Sequence, residues 1–167
     1  AMTAKVKLII QFAVAFGIAL FTVSQYEEPL KYGIVIPYFN IPLNLWYFYI
    51  PFAMIVIAGA SNAVNLSDGL DGLAAGLLVP SFLVLGIITF LLGFGYYSFL
   101  PFPSLSIICA AAIGACVGFL WFNCSPAKIF MGDTGSLALG ALLGTMAVLS
   151  KQELLLAVFG FVFVIEA

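Results

Sequence analysis

Long apolar runs separated by short polar segments form the main pattern along the chain. Five runs approach the roughly 20 apolar residues that a membrane-spanning helix needs. They are residues 6–23, 45–60, 73–92, 105–122 and 137–149, and a sixth apolar run begins at Leu154 and is cut off soon afterwards. Hydrophobic residues make up 65% of the chain and charged residues only 7%. This composition lies far outside that of soluble domains, so the pattern predicts an all-α polytopic membrane protein with about five transmembrane helices and the start of a sixth.

Three polar segments separate these helices and organise the predicted domain. Residues 25–44 contain three Pro around a β-prone stretch, which indicates an ordered extramembrane hairpin. Residues 62–72 and 123–136 are predicted loops, and counting crossings places both on the membrane side opposite the hairpin. We expect a single transmembrane domain over residues 1–167, belonging to a longer protein that continues at both ends.

The few charged residues indicate an orientation and exclude some functions. Lys5, Lys7 and Lys128 fall on the side of the two loops, against Lys31 and Lys151 on the hairpin side. An excess of Lys favours the cytoplasmic side, so the loops are expected to be cytoplasmic and the hairpin periplasmic. Five scattered Lys with a net charge of −2 cannot form a nucleic-acid-binding face. The absence of His excludes His-based catalysis and His-ligated zinc within this stretch.

All three Asp of the chain lie in the two predicted cytoplasmic loops. Asp68 and Asp71 are three residues apart, which on a helix places their side chains about 5 to 6 Å from each other. Unpaired carboxylates at that distance repel, so they require a shared cation or a hydrogen-bond donor. Carboxylates at the ends of membrane helices are costly when buried, which favours a functional role.

Asp133 lies in a glycine-rich turn, Gly132-Asp133-Thr134-Gly135, that leads into the fifth apolar run. The backbone N–H groups at a helix start suit phosphate oxygens. Mg²⁺ is commonly bound by one or two carboxylates together with substrate phosphates. The segment therefore predicts Mg²⁺-dependent diphosphate chemistry, with Asp133 as the metal ligand.

The same residues also allow other interpretations. Asp-Gly pairs occur in ordinary turns, and Asp68 could cap a helix. An EF-hand is rejected because the twelfth position counted from Asp68 is Val79 where Glu is required, and a P-loop is rejected because Gly-Lys-Ser/Thr is absent. Lys128 is either a snorkelling residue or a phosphate partner. Phe130 is either an interfacial aromatic or a stacking platform for a base.

Two segments resemble a known family. Residues 62–74 (NAVNLSDGLDGLA) and 130–140 (FMGDTGSLALG) are similar to the signature segments of bacterial phospho-N-acetylmuramoyl-pentapeptide transferases, or translocase I. Residues 4–8 and Asn123 with Pro126-Ala127-Lys128 also resemble the family pattern. The wider superfamily transfers hexosamine 1-phosphates to polyprenyl phosphate. A UDP-GlcNAc transferase of that superfamily is therefore the alternative enzyme.

The resemblance implies a ten-helix enzyme of the bacterial inner membrane, commonly a homodimer, with its active site on the cytoplasmic face. It implies transfer of phospho-MurNAc-pentapeptide from UDP-MurNAc-pentapeptide to undecaprenyl phosphate, which gives lipid I and UMP with Mg²⁺. By matching positions, Asp133 would bind Mg²⁺. The other implied site residues are Asn65, Asp68, Asp71 and Asn123 in the polar site, Gly69 and Leu70 near the uracil, Phe130 stacked on it, and Lys5 as a functional lysine.

The sequence also departs from the family pattern. The paired Asp expected before Ala1 and the His-rich loop expected after Ala167 are absent, so we expect these 167 residues alone to be inactive. A different class of function, a transporter or channel subunit with an ion site, would place carboxylates near the membrane midplane. The three Asp lie instead in loops at helix ends, which disfavours that class.

Overall fold

The fold consists of six α-helices and a two-stranded sheet in the part of the chain that the computed structural model describes, residues 3–36, 41–94, 101–102 and 104–165. The helices are α1 (Ala4–Gln25), α2 (Tyr49–Ser67), α3 (Leu73–Phe94), α4 (Leu105–Asn123), α5 (Gly132–Leu149) and α6 (Glu153–Ile165). The first five are long and apolar enough to cross a membrane. The predicted fold class is thereby confirmed.

Helix α2 is the centre of the bundle, because α1, α5 and α6 all pack against it. Its closest neighbour is α5. A Cβ atom on Gly140 would lie 2.6 Å from the carbonyl oxygen of Ala60, and one on Gly144 would lie 2.9 Å from Cα of Ile57. Small residues allow such close backbone contact between membrane helices. Helices α3 and α4 form a second closely packed pair.

Two of the predicted loops are shorter than expected. Helix α2 begins at Tyr49 rather than residue 45 and continues to Ser67, so residues 62–67 are helical and the prediction of a loop from residue 62 is wrong. Two of the polar side chains there bind their own helix: Asn62 Nδ2 donates to the carbonyl of Ala58 at 2.7 Å, and Ser67 Oγ to that of Ala63 at 3.0 Å.

The second loop, predicted over residues 123–136, also ends earlier than expected, because its last residues are helical. Helix α5 begins at Gly132, not after residue 136, and Asp133 occupies its first turn. A carboxylate at a helix N-terminus stabilises the helix through the backbone dipoles. The connections that remain are residues 68–72 and 124–131. We call this end of the bundle, with the start of α1, the Asp end.

The opposite end carries strands β1 (Gly33–Ile36) and β2 (Ile41–Asn44), within the segment predicted as a hairpin. They pair antiparallel, with Gly33 opposite Asn44 and Val35 opposite Pro42. Residues 37–40, which belong to the predicted hairpin, lie outside the described residues. We call this end the hairpin end.

A buried cluster of four side chains, Tyr26, Tyr49, Lys151 and Glu153, holds the hairpin end together. Tyr26 donates a hydrogen bond to the carbonyl of Leu149 at 2.7 Å, and Tyr49 donates one to Glu153 Oε1 at 2.8 Å. The Nζ atom of Lys151 lies 3.7 Å from the ring centroid of Tyr49 and 4.9 Å from that of Tyr26. This hairpin-end cluster connects α1, α2 and the turn between α5 and α6.

Candidate functional site

Asp133 is the meeting point of three helices at the Asp end. Its carboxylate forms an ion pair with Lys7 of α1. Asn65 of α2 donates from Nδ2 to Asp133 Oδ1 at 3.1 Å and to Ser136 Oγ at 2.8 Å. The Asp133 side chain nevertheless remains 59% exposed. The carboxylate is therefore fixed in direction while it stays accessible to a ligand.

Asp68 lies beside Asp133, because the end of α2 meets the start of α5. Its carboxylate accepts a hydrogen bond from the backbone of Gly132. Partial burial raises the pKa of Asp68, the hydrogen bond from Gly132 lowers it, and the charge of Asp133 raises it further. The two Asp-containing segments therefore meet, and they bring two like charges together.

Asn123 joins the two loops of the Asp end. This buried residue, the last of α4, accepts a hydrogen bond from the backbone N–H of Gly72 at 3.0 Å and donates from Nδ2 to the carbonyl of Ile129 at 2.8 Å. Asp71 makes a second connection, since its Oδ2 accepts from the backbone N–H of Ala127 at 3.1 Å. Asn123 thus holds the loops in place through both ends of its amide, and its role in binding substrate stays a prediction.

The remaining predicted site residues are exposed at the same end. Leu70 is 67% exposed and Phe130 is 74% exposed. The others in this group are Gly69, Lys128 and Lys5. An exposed aromatic ring at the Asp end is accessible for stacking on a planar group. The specific roles predicted for these five residues stay predictions.

The structure brings in residues that the sequence interpretation left out. It places Lys7, rather than the predicted functional lysine Lys5, in contact with Asp133. One helical turn further along α1, Gln11 binds Ser61 and Asn62 of α2. The available signal was the spacing of Lys7 and Gln11, which are four residues apart and therefore share one face of α1.

A cavity of about 580 Å³ opens beside these residues between α1, α2 and α5. Its polar wall includes Lys7, Gln11 and Asp133. Below them the wall is apolar, with residues such as Val14 and Leu137. The cavity therefore combines a charged group at the Asp end with a hydrophobic surface that runs into the bundle.

The acidic residues suit a metal ion that is shared with a ligand rather than one enclosed by protein. Within the described parts of the chain, no group of three or more Cys, Asp or Glu comes together. Asp133, with Asp68 beside it, offers one or two carboxylates, which is the usual protein contribution to Mg²⁺ bound jointly with phosphates. The donor set thus fits Mg²⁺ with a phosphorylated substrate.

Comparison with known proteins decides the family. The profile of "Glycosyl transferase family 4" matches residues 1–151. The chain belongs to this family. A phospho-N-acetylmuramoyl-pentapeptide-transferase of Desulfotalea psychrophila is 49% identical over 99% of the chain and 48% of its own length. Enzymes of the same name from Thermodesulfovibrio yellowstonii and Rickettsia montanensis are 44% and 46% identical, over 96% and 97% of the chain and 47% of their own lengths.

These relatives confirm the resemblance that the two signature segments indicated. They also show that the chain spans about half the length of the curated relatives it matches. Both Asp-containing segments lie within the residues that the glycosyl transferase family 4 profile matches. The site assembled at the Asp end is therefore a part of the region that defines this family.

Proposed function

We propose that the full-length protein transfers phospho-MurNAc-pentapeptide from UDP-MurNAc-pentapeptide to undecaprenyl phosphate, which yields lipid I and UMP. One observation carries the proposal: the contact of Lys7, Asn65 and Asp133 lies at the polar end of a cavity with apolar walls. An anionic substrate and a lipid acceptor need such a combination. The shared name of the relatives supports this choice of substrates over UDP-GlcNAc.

Each of these side chains has a task in that reaction. The ammonium of Lys7 neutralises part of the phosphate charge that gathers at the site. Asn65 keeps the Asp133 carboxylate oriented from the side of α2. Asn123 and Asp71 hold the loops that carry the predicted uracil contacts, Gly69, Leu70 and Phe130. The protein therefore acts mainly by positioning and charge stabilisation.

The chemistry is a substitution at phosphorus. An oxygen of the lipid phosphate forms a bond to the β-phosphorus of the nucleotide sugar, and the bond from that phosphorus to the bridging oxygen breaks. UMP leaves with the electron pair, in line with the attacking oxygen. Mg²⁺, when bound at Asp133 with Asp68 nearby, supplies further neutralisation of the diphosphate charge. The exposed Phe130 ring would stack on the uracil and keep the donor in place.

The proposal includes a location and an assembly. We place the protein in the bacterial inner membrane with the Asp end toward the cytoplasm, because Lys5, Lys7 and Lys128 all lie at that end. A nucleotide-linked donor would reach the site from that side. The homodimer implied by the resemblance belongs to the proposal as well, and the mass of the detergent-solubilised full-length protein tests it.

The decisive experiment replaces Asp133 by Asn in the full-length protein. We expect Asp133→Asn to lower the rate of lipid I formation by at least about 100-fold, which corresponds to roughly 2.7 kcal/mol of transition-state stabilisation. Glu27→Gln is the matched control, because it removes one exposed carboxylate at the hairpin end. Near-normal turnover by a folded Asp133→Asn variant would contradict the proposed site.

A further inference from the structure

Two polar connections, one helical turn apart, link α1 to the start of α5. The first is the ion pair of Lys7 with Asp133. The second runs through Ser61, which accepts a hydrogen bond from Gln11 and donates one to the carbonyl of Leu137. Gln11 follows Lys7 by four residues, and Leu137 follows Asp133 by four residues. Both connections therefore lie on the same faces of α1 and α5.

Gln11 uses both ends of its amide in the second connection. Its Nε2 donates to Ser61 Oγ at 3.1 Å, and its Oε1 accepts from Asn62 Nδ2 at 3.0 Å. Ser61 in turn donates to the carbonyl of Leu137 at 2.9 Å. We call Gln11, Ser61 and Asn62 the Gln11 cluster. It fixes the side chain of Gln11 in one orientation against two consecutive residues of α2.

The buried apolar side chains of α1, Ala15, Ala19 and Val23, pack against α2 farther toward the hairpin end. Before Ala15 the large apolar side chains of α1 are exposed, among them Leu8 at 44% and Ile9 at 67%. Apolar contacts alone tolerate small rotations of a helix, whereas hydrogen bonds in an apolar surrounding have defined partners and no water to replace them. The Gln11 cluster therefore determines the rotation of α1 near the Asp end.

We infer that Gln11 is a positioning residue that directs the Lys7 ammonium toward Asp133 and the reacting phosphates. The inference rests on the proposed function and adds a residue to it. Because Lys7 is one turn from Gln11 on the same face, a rotation of α1 at Gln11 moves the Lys7 side chain along the rim of the cavity. Misplacing a charge that acts in the transition state lowers kcat more than it raises KM for the donor.

The test compares Gln11→Leu with Gln25→Leu in the full-length protein. Both variants replace a glutamine of α1 by leucine, and Gln25 lies at the far end of the helix, where its Nε2 donates to the neighbouring Ser24. We expect Gln11→Leu to lower kcat for lipid I formation by about tenfold, with KM for the UDP-linked donor within about twofold of the wild type. We expect Gln25→Leu to match the wild type.

A double-mutant cycle with Lys7→Met separates positioning from a merely structural role. If Gln11 acts through Lys7, Gln11→Leu should change kcat by less than about twofold in the Lys7→Met protein. An undiminished tenfold loss in that background would overturn the inference, as would wild-type kcat for Gln11→Leu alone. Absence of lipid I formation by the wild type and by Gln25→Leu would instead contradict the proposed function.

A second variant covers the case in which Gln11→Leu does not fold. Ser61→Ala removes the partner of Gln11 Nε2 and leaves Gln11 itself in place. Ser61→Ala should lower kcat about threefold in the protein that retains Lys7. In the Lys7→Met protein it should leave kcat unchanged. Equal losses in both backgrounds, or no loss in either, would contradict the positioning role.

Discussion

Each end of the bundle brings a lysine near a carboxylate, but the surroundings of the two sets differ. At the hairpin end, Lys151 is 0% exposed and Glu153 is 1% exposed. At the Asp end, the side chain of Lys7 is 32% exposed and that of Asp133 is 59% exposed. The first set is enclosed by tyrosine rings and backbone, and the second is open to a cavity.

The difference indicates what each set does. The hairpin-end cluster is directed inward: Lys151 lies over the ring of Tyr49, and Tyr49 donates to Glu153. Burial lowers the pKa of Lys151 and raises that of Glu153, and the charge of each residue opposes the shift of the other. Charges enclosed in this way have no access to a ligand and act on stability. The pair of Lys7 and Asp133 is open to ligands. Lys7 can give up its contact with Asp133 to bind a substrate phosphate, and Asp133 can give up its contact with Lys7 to bind a metal ion.

The largest effect on stability is expected from Lys151→Met. This variant removes the cation over the rings of Tyr49 and Tyr26 and forces the buried Glu153 carboxyl to take up a proton, because burial raises the pKa of Glu153 and the charge of Lys151 no longer opposes it. We therefore expect a loss of about 3 kcal/mol in the free energy of unfolding. Lys7→Met makes the same change in an exposed ion pair and should cost less than about 1 kcal/mol. Denaturant unfolding of the full-length protein in detergent measures both. Equal losses would contradict the distinction between the two ends.

A smaller loss of stability is expected from Asn123→Asp, which tests whether the Asp end also contains a structural residue. The change keeps the acceptor for the Gly72 N–H but places an oxygen against the carbonyl of Ile129, 2.8 Å from the present Nδ2. We expect a loss of about 2 kcal/mol, since a buried acceptor is left without a donor.

Asn44→Asp is the control for that change. Its exposed side chain accepts a hydrogen bond from the backbone N–H of Trp46, and the aspartate can do the same. A raised KM for the donor with unchanged stability of Asn123→Asp would show that Asn123 binds substrate rather than holding the loops.

The sequence allowed the helices and the meeting of the Asp loops to be predicted for simple physical reasons. Membrane helices require long apolar runs, and the number of crossings decides which loops share a side. Asp68 and Asp133 therefore had to lie at the same end. The predicted end of α2 came too early and the predicted start of α5 too late, because polar residues such as Asn62 were assigned to loops. These residues instead form hydrogen bonds within and between helices.

Contacts between distant helices could not be derived from the sequence. The choice of Lys7 over Lys5 depends on the rotation of α1, which is fixed by the bonds of Gln11 to α2. The role of Lys151 was equally hidden, because a lysine in a short turn ordinarily faces water. Its burial follows from the tyrosines at positions 26 and 49, which are far away in the chain.

The smallest effect, and one of opposite sign, is expected from Asp68→Asn. The folded protein raises the pKa of Asp68 above its usual range through burial and the charge of Asp133, although the Gly132 hydrogen bond opposes this. A carboxyl with a raised pKa in the folded state binds its proton more tightly there than in the unfolded chain. The wild type therefore loses stability as the pH rises through the pKa of the folded state.

An amide at position 68 avoids that loss and can still accept the hydrogen bond from Gly132. Without Mg²⁺, Asp68→Asn should stabilise the protein by roughly 0.5 kcal/mol near neutral pH, a small gain because water screens this largely exposed carboxyl. The gain should vanish near pH 3, below the ordinary aspartate pKa of about 3.9, where the carboxyl is largely protonated in both the folded and the unfolded state. Unfolding free energies at the two pH values measure it, and a loss of stability at neutral pH would contradict the repulsion. A gain in stability together with a loss of lipid I formation would show that the Asp end retains adjacent carboxylates for function, at the expense of stability.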